Sequence, residues 1–293
     1  MHVALSHLTR LEYGAEVTEG VMDVRLGPLS DAHQRWLRFD LRAAPNAAVH
    51  GYTDGFLNAA HLVSLRRPHR YVEVVSRGEV ETLLDDPFAL PEQAPAPLGR
   101  AERADYLLPS PLVAPDGRLE ELAAPFRPRS PEHTFEAVQG LMSLVYREFA
   151  YEQEVTQVSS TVSDVISERR GVCQDFAHVL IGLCRAIGVP ARYVSGYIVS
   201  LEQQQSQRLG SMQQSQSSGP TYRGSGASHA WAEAFTPTHG WRGFDPTNGV
   251  VVGPAHVKVA VGRDYADVPP TRGTYRGAAE ERLAVHVESR PIE

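Results

Sequence analysis

Gly171-Val172-Cys173-Gln174-Asp175-Phe176-Ala177-His178 opens the most regular apolar segment of the chain, and the fold is read outward from it. From Cys173 onward, Phe176, Ala177, Leu180, Leu183, Cys184 and Ile187 recur at helical spacing, and Gly188 with Pro190 marks the stop. The period predicts a helix with one buried stripe and Cys173 in its first turn. A thiol there faces unpaired backbone N–H groups and the positive end of the helix dipole, and both favour the thiolate. The same N–H groups can receive an oxyanion forming on an attacked carbonyl. Cys184, about three turns on and roughly 16 Å away, reads as a small core hydrophobe. That separation excludes a disulfide within the helix, and the spacing fits no zinc pattern. Two free thiols suit a reducing compartment.

A nucleophilic cysteine needs a base and a group to orient it, and both candidates lie downstream. Ser228-His229-Ala230-Trp231-Ala232-Glu233-Ala234-Phe235 alternates as a strand, with His229, Trp231, Glu233 and Phe235 on one face. Trp241-Arg242-Gly243-Phe244-Asp245-Pro246-Thr247 then places a carboxylate at the end of the next strand, where it would fix the imidazole tautomer and stabilise its cation. Plainer readings exist for each. His229 is one of 12 histidines, Asp245 before proline suits a turn, and Glu233 suits a solvated or supporting position. His178 falls about 140° round the helix from Cys173, which disfavours it as the base. His239, in Pro237-Thr238-His239-Gly240, is expected at the solvent.

Residues 1–84 read as β-rich, with short apolar runs such as Val21–Leu26, Trp36–Leu41, His61–Leu65 and Tyr71–Val75 between turn signals. Residues 85–130 hold nine prolines and read as a linker draped over a surface. A helix is expected from Ser130-Pro131-Glu132, burying Phe135, Val138, Leu141, Met142, Val145 and Phe149. A shorter one is expected over Thr161–Arg169, opened in capping-box form by Thr161 and Asp164. After the cysteine helix come strands at Ala191–Ser200, Ser228–Thr236, Trp241–Asp245, Gly249–Gly253, His256–Val261 and Leu283–Ser289. Of the 16 residues Gln203–Ser218, 12 are Gln or Ser, so an insertion at about 202–226 is expected to be a mobile excursion. The domain reading is therefore 1–84, a linker 85–130, and a catalytic core 131–293.

With 42% hydrophobic and 22% charged residues the composition is that of a globular protein. The net charge of −7, without a basic stripe, argues against a nucleic-acid partner. No run is long enough to span a membrane, and Met1–His7 lacks signal-peptide features, so a cytoplasmic location is expected. No His-x-x-x-His or comparable ligand spacing calls for a metal, no cofactor is expected, and oligomeric state is open.

The stretch 171–178, together with Gly188-Val189-Pro190-Ala191-Arg192-Tyr193-Val194-Ser195-Gly196-Tyr197, Ala227–Glu233 and Gly240–Thr247, resembles the core motifs of the transglutaminase-like superfamily. The order Cys, His, Asp agrees as well. Asp54-Gly55-Phe56-Leu57-Asn58 and Gly262-Arg263-Asp264-Tyr265 resemble features of a bacterial subgroup with an N-terminal β-rich domain. The resemblance implies an α+β fold: a papain-like core, its nucleophile helix packed on an antiparallel sheet, preceded by the β-rich domain. It implies Cys173 as nucleophile, His229 as base and Asp245 as orienting acid. Tyr151 is a candidate oxyanion donor, and Gln174 and Trp231 are further candidates for that role or for supporting the triad. The implied chemistry is attack on amide bonds through a thioester, as a protease or amidase acting on a peptide, a protein or a small amide. Transfer of the acyl group to an amine, or a catalytically silent peptide-binding module, are the alternatives.

Overall fold

The computed structural model describes residues 1–199, 222–223 and 227–292. The Gln/Ser-rich insertion expected at 202–226 therefore lies outside the described residues, apart from Tyr222 and Arg223.

The N-terminal region forms β1 (His2–Val17), β2 (Glu19–Val24), β3 (Gln34–Ala44), β4 (Ala48–Thr53), β5 (Ala59–Leu65) and β6 (His69–Thr82). Alternation along these strands buries one face, and Tyr13, Val17, Met22, Val24, Leu26, Val63, Leu65, Val72 and Val74 form the core they share. Two strands from the far end of the chain complete the sheets. β15 (Glu281–Ile292) pairs antiparallel with β1 from His2↔Ile292 to Tyr13↔Glu281, and β14 (Thr271–Arg276) pairs with β2. The sheet orders are β15-β1-β6-β3 and β14-β2-β5-β4. Residues 271–292, expected in the catalytic core, thus lie with the N-terminal strands. Alternation marks a segment as a strand but carries no information about its distant partner.

The expected linker is also more structured than its prolines suggest. It contains α1 (Arg100–Leu107) and α2 (Gly117–Ala123), the latter capped by Asp116, whose side chain accepts from the Arg118 amide. Tyr106, Val113, Leu119 and Ala123 are buried, and Leu119 and Ala123 join the main core. The prolines punctuate these helices from outside rather than preventing them.

The core proper contains α3 (Thr134–Glu148), preceded by a 3₁₀ turn over Pro131–His133, then β7 (Ala150–Tyr151), α4 (Val162–Glu168), β8 (Arg170–Gly171) and α5 (Cys173–Ala186). Asp164 accepts from the Thr161 amide at 2.8 Å, closing the start of α4. α5 ends where the periodicity stops, and Gly188 follows at φ 81°, a left-handed position that glycine takes without steric cost. Behind α5 stands an antiparallel sheet of order β12-β11-β10-β9-β13, built from β9 (Ala191–Ile198), β10 (Ser228–Thr236), β11 (Gly240–Asp245), β12 (Val250–Val251) and β13 (His256–Gly262). Ala230, Ala232 and Ala234 of β10 share a core with Phe176, Ala177, Leu180 and Leu183 of α5. Their small side chains let the helix lie close to the sheet.

The two regions are joined along β13, the edge strand of this sheet. Gln34 donates from Nε2 to the Lys258 carbonyl at 2.7 Å and accepts the Lys258 amide at 2.9 Å. Asn58 makes the same pair of bonds to Val261, both at 2.8 Å. Asp54 holds Asn58 in place through its Nδ2 and backbone amide. These amides satisfy backbone groups that an open edge would expose, and they give the Asp54–Asn58 segment a structural role.

Candidate active site

Cys173 is the first residue of α5 and is partly exposed, whereas Cys184 is fully buried. Burial pushes the Cys184 thiol up to about 12, so it is inert at neutral pH. The turn before Cys173 is held by Asp175, two residues into the helix. Its Oδ2 accepts from the Val172 amide at 2.8 Å and from the Thr156 hydroxyl at 2.7 Å. Burial raises the Asp175 carboxyl, and its Oδ1 has no partner among the described residues. Gly171 makes room for this carboxylate, since a Cβ there would lie 2.5 Å from Asp175 Oδ2.

His229 lies at the start of β10 opposite Gly196 of β9. Its Nε2 donates to Asp245 Oδ2 at 2.9 Å, and both side chains are excluded from solvent. Its Nδ1 has no hydrogen-bond partner among the described residues, and Cys173 is close enough to act on the ring. Burial is the largest influence on His229 and opposes its charge. The charge and hydrogen bond of Asp245, followed by those of Cys173, together outweigh it and raise the imidazole to about 10. Asp245 ends β11 and is likewise buried. Burial opposes its charge, but His229 and then His256 hold it well below the usual carboxylate range. Its Oδ1 accepts from the amides of Thr247 (2.9 Å) and Asn248 (3.2 Å), and Asn248 Nδ2 donates to Oδ2 at 2.8 Å. The turn after Asp245 therefore anchors the carboxylate from below.

The remaining expected residues take different places. Tyr151 pairs in register with Gly171, so it sits beside the nucleophile turn; it is half-buried, edge-on to Phe176 at 6.2 Å. Burial and then the charge of Cys173 raise its phenol, and the Arg223 guanidinium lies 5.7 Å from its ring. Gln174 is half-buried, and its amide donates to the Val158 carbonyl at 3.1 Å, which ties it to the preceding loop. Trp231 is buried, stacked on His229 at 6.2 Å between ring centres, and it packs with Val194 and Val261. The ring lies directly on Gly196, where a Cβ would approach it to 2.4 Å.

Three histidine and acid positions refine the sequence reading. His178 is buried and neutral, pushed down to about 3 by burial, and its Nε2 accepts the Tyr265 amide at 3.1 Å. His239 is not at the solvent: its ring lies 4.3 Å from that of Phe135, and its Nε2 reaches the Phe88 carbonyl at 3.3 Å. The proline-rich segment covers this turn. Glu233 is buried rather than solvated, bonded to the Lys258 ammonium and to Arg192 Nε at 2.7 Å. Burial opposes its charge, but Lys258 and Arg192 bring it down to about 2.

Sequence reasoning missed Asn248 and His256. Asn248 had a usable signal, a polar residue three beyond Asp245 in a turn. His256 had none, because the chain crosses from β12 to the opposite edge of the sheet before reaching it.

Comparison with known proteins agrees with this architecture. Residues 120–246 match the transglutaminase-like superfamily, and residues 3–81 match the bacterial transglutaminase-like N-terminal region. An uncharacterised protein of Mycobacterium tuberculosis is 31% identical over 99% of this chain and 92% of its own length. One from Mycobacterium leprae is 30% identical, covering 96% of each. The crystal structure of a candidate cysteine protease from Cytophaga hutchinsonii superposes with a TM-score of 0.72 at 23% identity, over 99% of this chain and 90% of that one. The chain belongs to the transglutaminase-like superfamily and carries the bacterial transglutaminase-like N-terminal region ahead of its core.

Proposed function

We propose that this protein is a cysteine-dependent acyl-transfer enzyme that hydrolyses amide bonds, with Cys173 as nucleophile, His229 as acid–base and Asp245 as orienting acid. The observation that carries this reading is the division of labour on His229. Nε2 is committed to a buried carboxylate while Nδ1 has no partner among the described residues, and Cys173 acts on the same ring, which supports Nδ1 as the atom that serves the thiol.

In the first half-reaction the Cys173 thiolate attacks the amide carbonyl carbon, forming a C–S bond while the carbonyl electrons move to oxygen. Free N–H groups at the start of α5 receive the oxyanion, and Tyr151, beside the nucleophile turn, would add a hydroxyl. Collapse breaks the C–N bond, and the leaving nitrogen takes a proton from His229. In the second half, water attacks the thioester, His229 accepts its proton, and the C–S bond breaks to release the acid and regenerate the Cys173 thiolate beside protonated His229. An amine in place of water would give transfer. Hydrolysis is preferred here, in keeping with the protease description given to the structurally similar Cytophaga protein.

Trapping is the direct test. Incubation with a peptide pool, rapid acid quench and mass spectrometry should show an acyl adduct on Cys173 that is absent from Cys173→Ala. Products carrying an added amine would redirect the reading to transfer, and no adduct on Cys173 under any peptide pool would refute it.

A further inference from the structure

Asp245 is the meeting point of two histidines. Its Oδ2 accepts from Nε2 of His229 at 2.9 Å and from Nε2 of His256 at 3.3 Å. His256 opens β13 and is buried, its ring edge-on to Trp231 at 5.3 Å and 6.4 Å from that of His229. Its Nδ1 has no polar partner among the described residues. A carboxylate oxygen can only accept, so the contact with Asp245 puts a proton on Nε2 of His256. The titratable groups facing His256 are Asp245 from β11, His229 from β10 and Tyr222, whose ring lies 5.8 Å away. The direction of the Asp245 carboxylate does not depend on His256, because the Thr247 and Asn248 amides and the Asn248 side chain already fix both oxygens. What His256 adds is a third donor, beside His229 and Asn248, on the oxygen that holds the His229 proton.

We propose that His256 is a positioning residue that acts through Asp245: its Nε2–H shares Oδ2 with His229 and limits how tightly the carboxylate holds the His229 proton. A hydrogen bond to a carboxylate spreads its charge and weakens its pull on a neighbouring cation. His229 thereby remains able to release its proton to a leaving nitrogen. This role rests on the Cys173–His229 reading above.

The experiment compares alkylation of Cys173 by iodoacetate and by iodoacetamide from about pH 6 to 11. An imidazolium attracts the anionic reagent, so the rate ratio falls where His229 loses its proton. In His256→Phe that inflection should move up by about one pH unit, a tenfold tighter hold on the proton. His256→Gln, which keeps a neutral donor, should return it to the wild-type position. A merely structural role would lower the melting temperature of both variants and leave the inflection in place. That result, or a downward move, overturns the proposal. Should His256→Phe not fold, the wild type decides: histidine ¹⁵N spectra at pH 7 must show His256 with its proton on Nε2, and a proton on Nδ1 overturns it. Slow wild-type alkylation without an inflection would instead remove the nucleophile reading itself. Fast wild-type alkylation with superimposed variant profiles would remove only the role of His256.

Discussion

The buried bond between His229 and Asp245 should appear as a pH-dependent part of the protein's stability. Raising an imidazole from 6.5 to about 10 corresponds to about 5 kcal/mol of preference for the folded state. Because the folded value is the higher one, this contribution is fully present below pH 6.5 and is lost as pH climbs through the folded value. Across that window the native state keeps a proton that the unfolded chain has released, so stability falls by about 1.4 kcal/mol per pH unit. Cys173 also contributes to holding the His229 charge, so the measurement is best made in a Cys173→Ala protein. There Asp245 alone supports the charge, and the slope should end at a somewhat lower pH. Adding Asp245→Asn then replaces the acceptor facing three donors, His229, His256 and the Asn248 side chain, with a neutral amide. His229 would be buried and neutral in the folded state, so the fall with pH should vanish and stability should instead rise slightly from pH 6 as the unfolded imidazole loses its proton. At pH 6 the double variant should also be less stable by about 3–5 kcal/mol, the cost of breaking a buried pair. Urea unfolding followed by tryptophan fluorescence at half-unit steps from pH 6 to 10 gives both quantities. Parallel stability curves for the two proteins would refute the account of His229 as a cation held by Asp245.

Other expectations follow from packing and charge. Gly196→Ala would place a Cβ 2.3 Å from the Val257 carbonyl and 2.4 Å from the Trp231 ring. It should cost about 1–3 kcal/mol in thermal or urea unfolding, and an unchanged melting temperature would contradict the close approach. Glu233→Gln leaves Lys258 and Arg192 without their shared buried anion. A loss of about 3–5 kcal/mol is expected, with Asp31 at 2.6 Å from Lys258 limiting it; a neutral result by chemical denaturation would show that the cluster is solvated in practice. In the folded protein at pH 8, iodoacetamide should label Cys173 while Cys184, pushed up to about 12, stays unmodified until denaturant is added. Peptide mass mapping reads this directly, and equal labelling of both would contradict the buried position of Cys184.

Local patterns made much of this site legible. The alternation from Ser228 to Thr236 marks β10 with the bounds observed, and the apolar period after Cys173 marks α5 through to Gly188. Both patterns arise from residues that share one element, where burial imposes a period on neighbours in the chain. Three features escaped for one reason: their partners are remote. β15 alternates like any strand, yet nothing within it points to β1. α2 carries Leu119 and Ala123 at helical spacing, but their burial depends on α5, and flanking prolines dominate the local signal. His239 sits in a turn that is legible as such, while its cover comes from Phe88 and Phe135, more than a hundred residues earlier. His256 belongs with these, since its relation to Asp245 exists only once the chain has crossed the sheet.

The pairing of β1 with β15 also bears on how the molecule is made. A ribosome releases His2–Val17 long before Glu281–Ile292, yet each is the other's neighbour in one sheet. Until Glu281–Ile292 emerges, β1 has only β6 beside it, and its outer edge offers unpaired backbone to any passing strand. The segment of α5 and the sheet from β9 to β13 meanwhile emerges between these two strands in sequence, ahead of the strand that completes the sheet flanking it. Contacts spanning nearly the whole chain are slow to form. Nascent chains of this protein should therefore depend on protection of that early edge, and release of stalled chains lacking residues 281–292 should yield aggregates enriched in exposed β1.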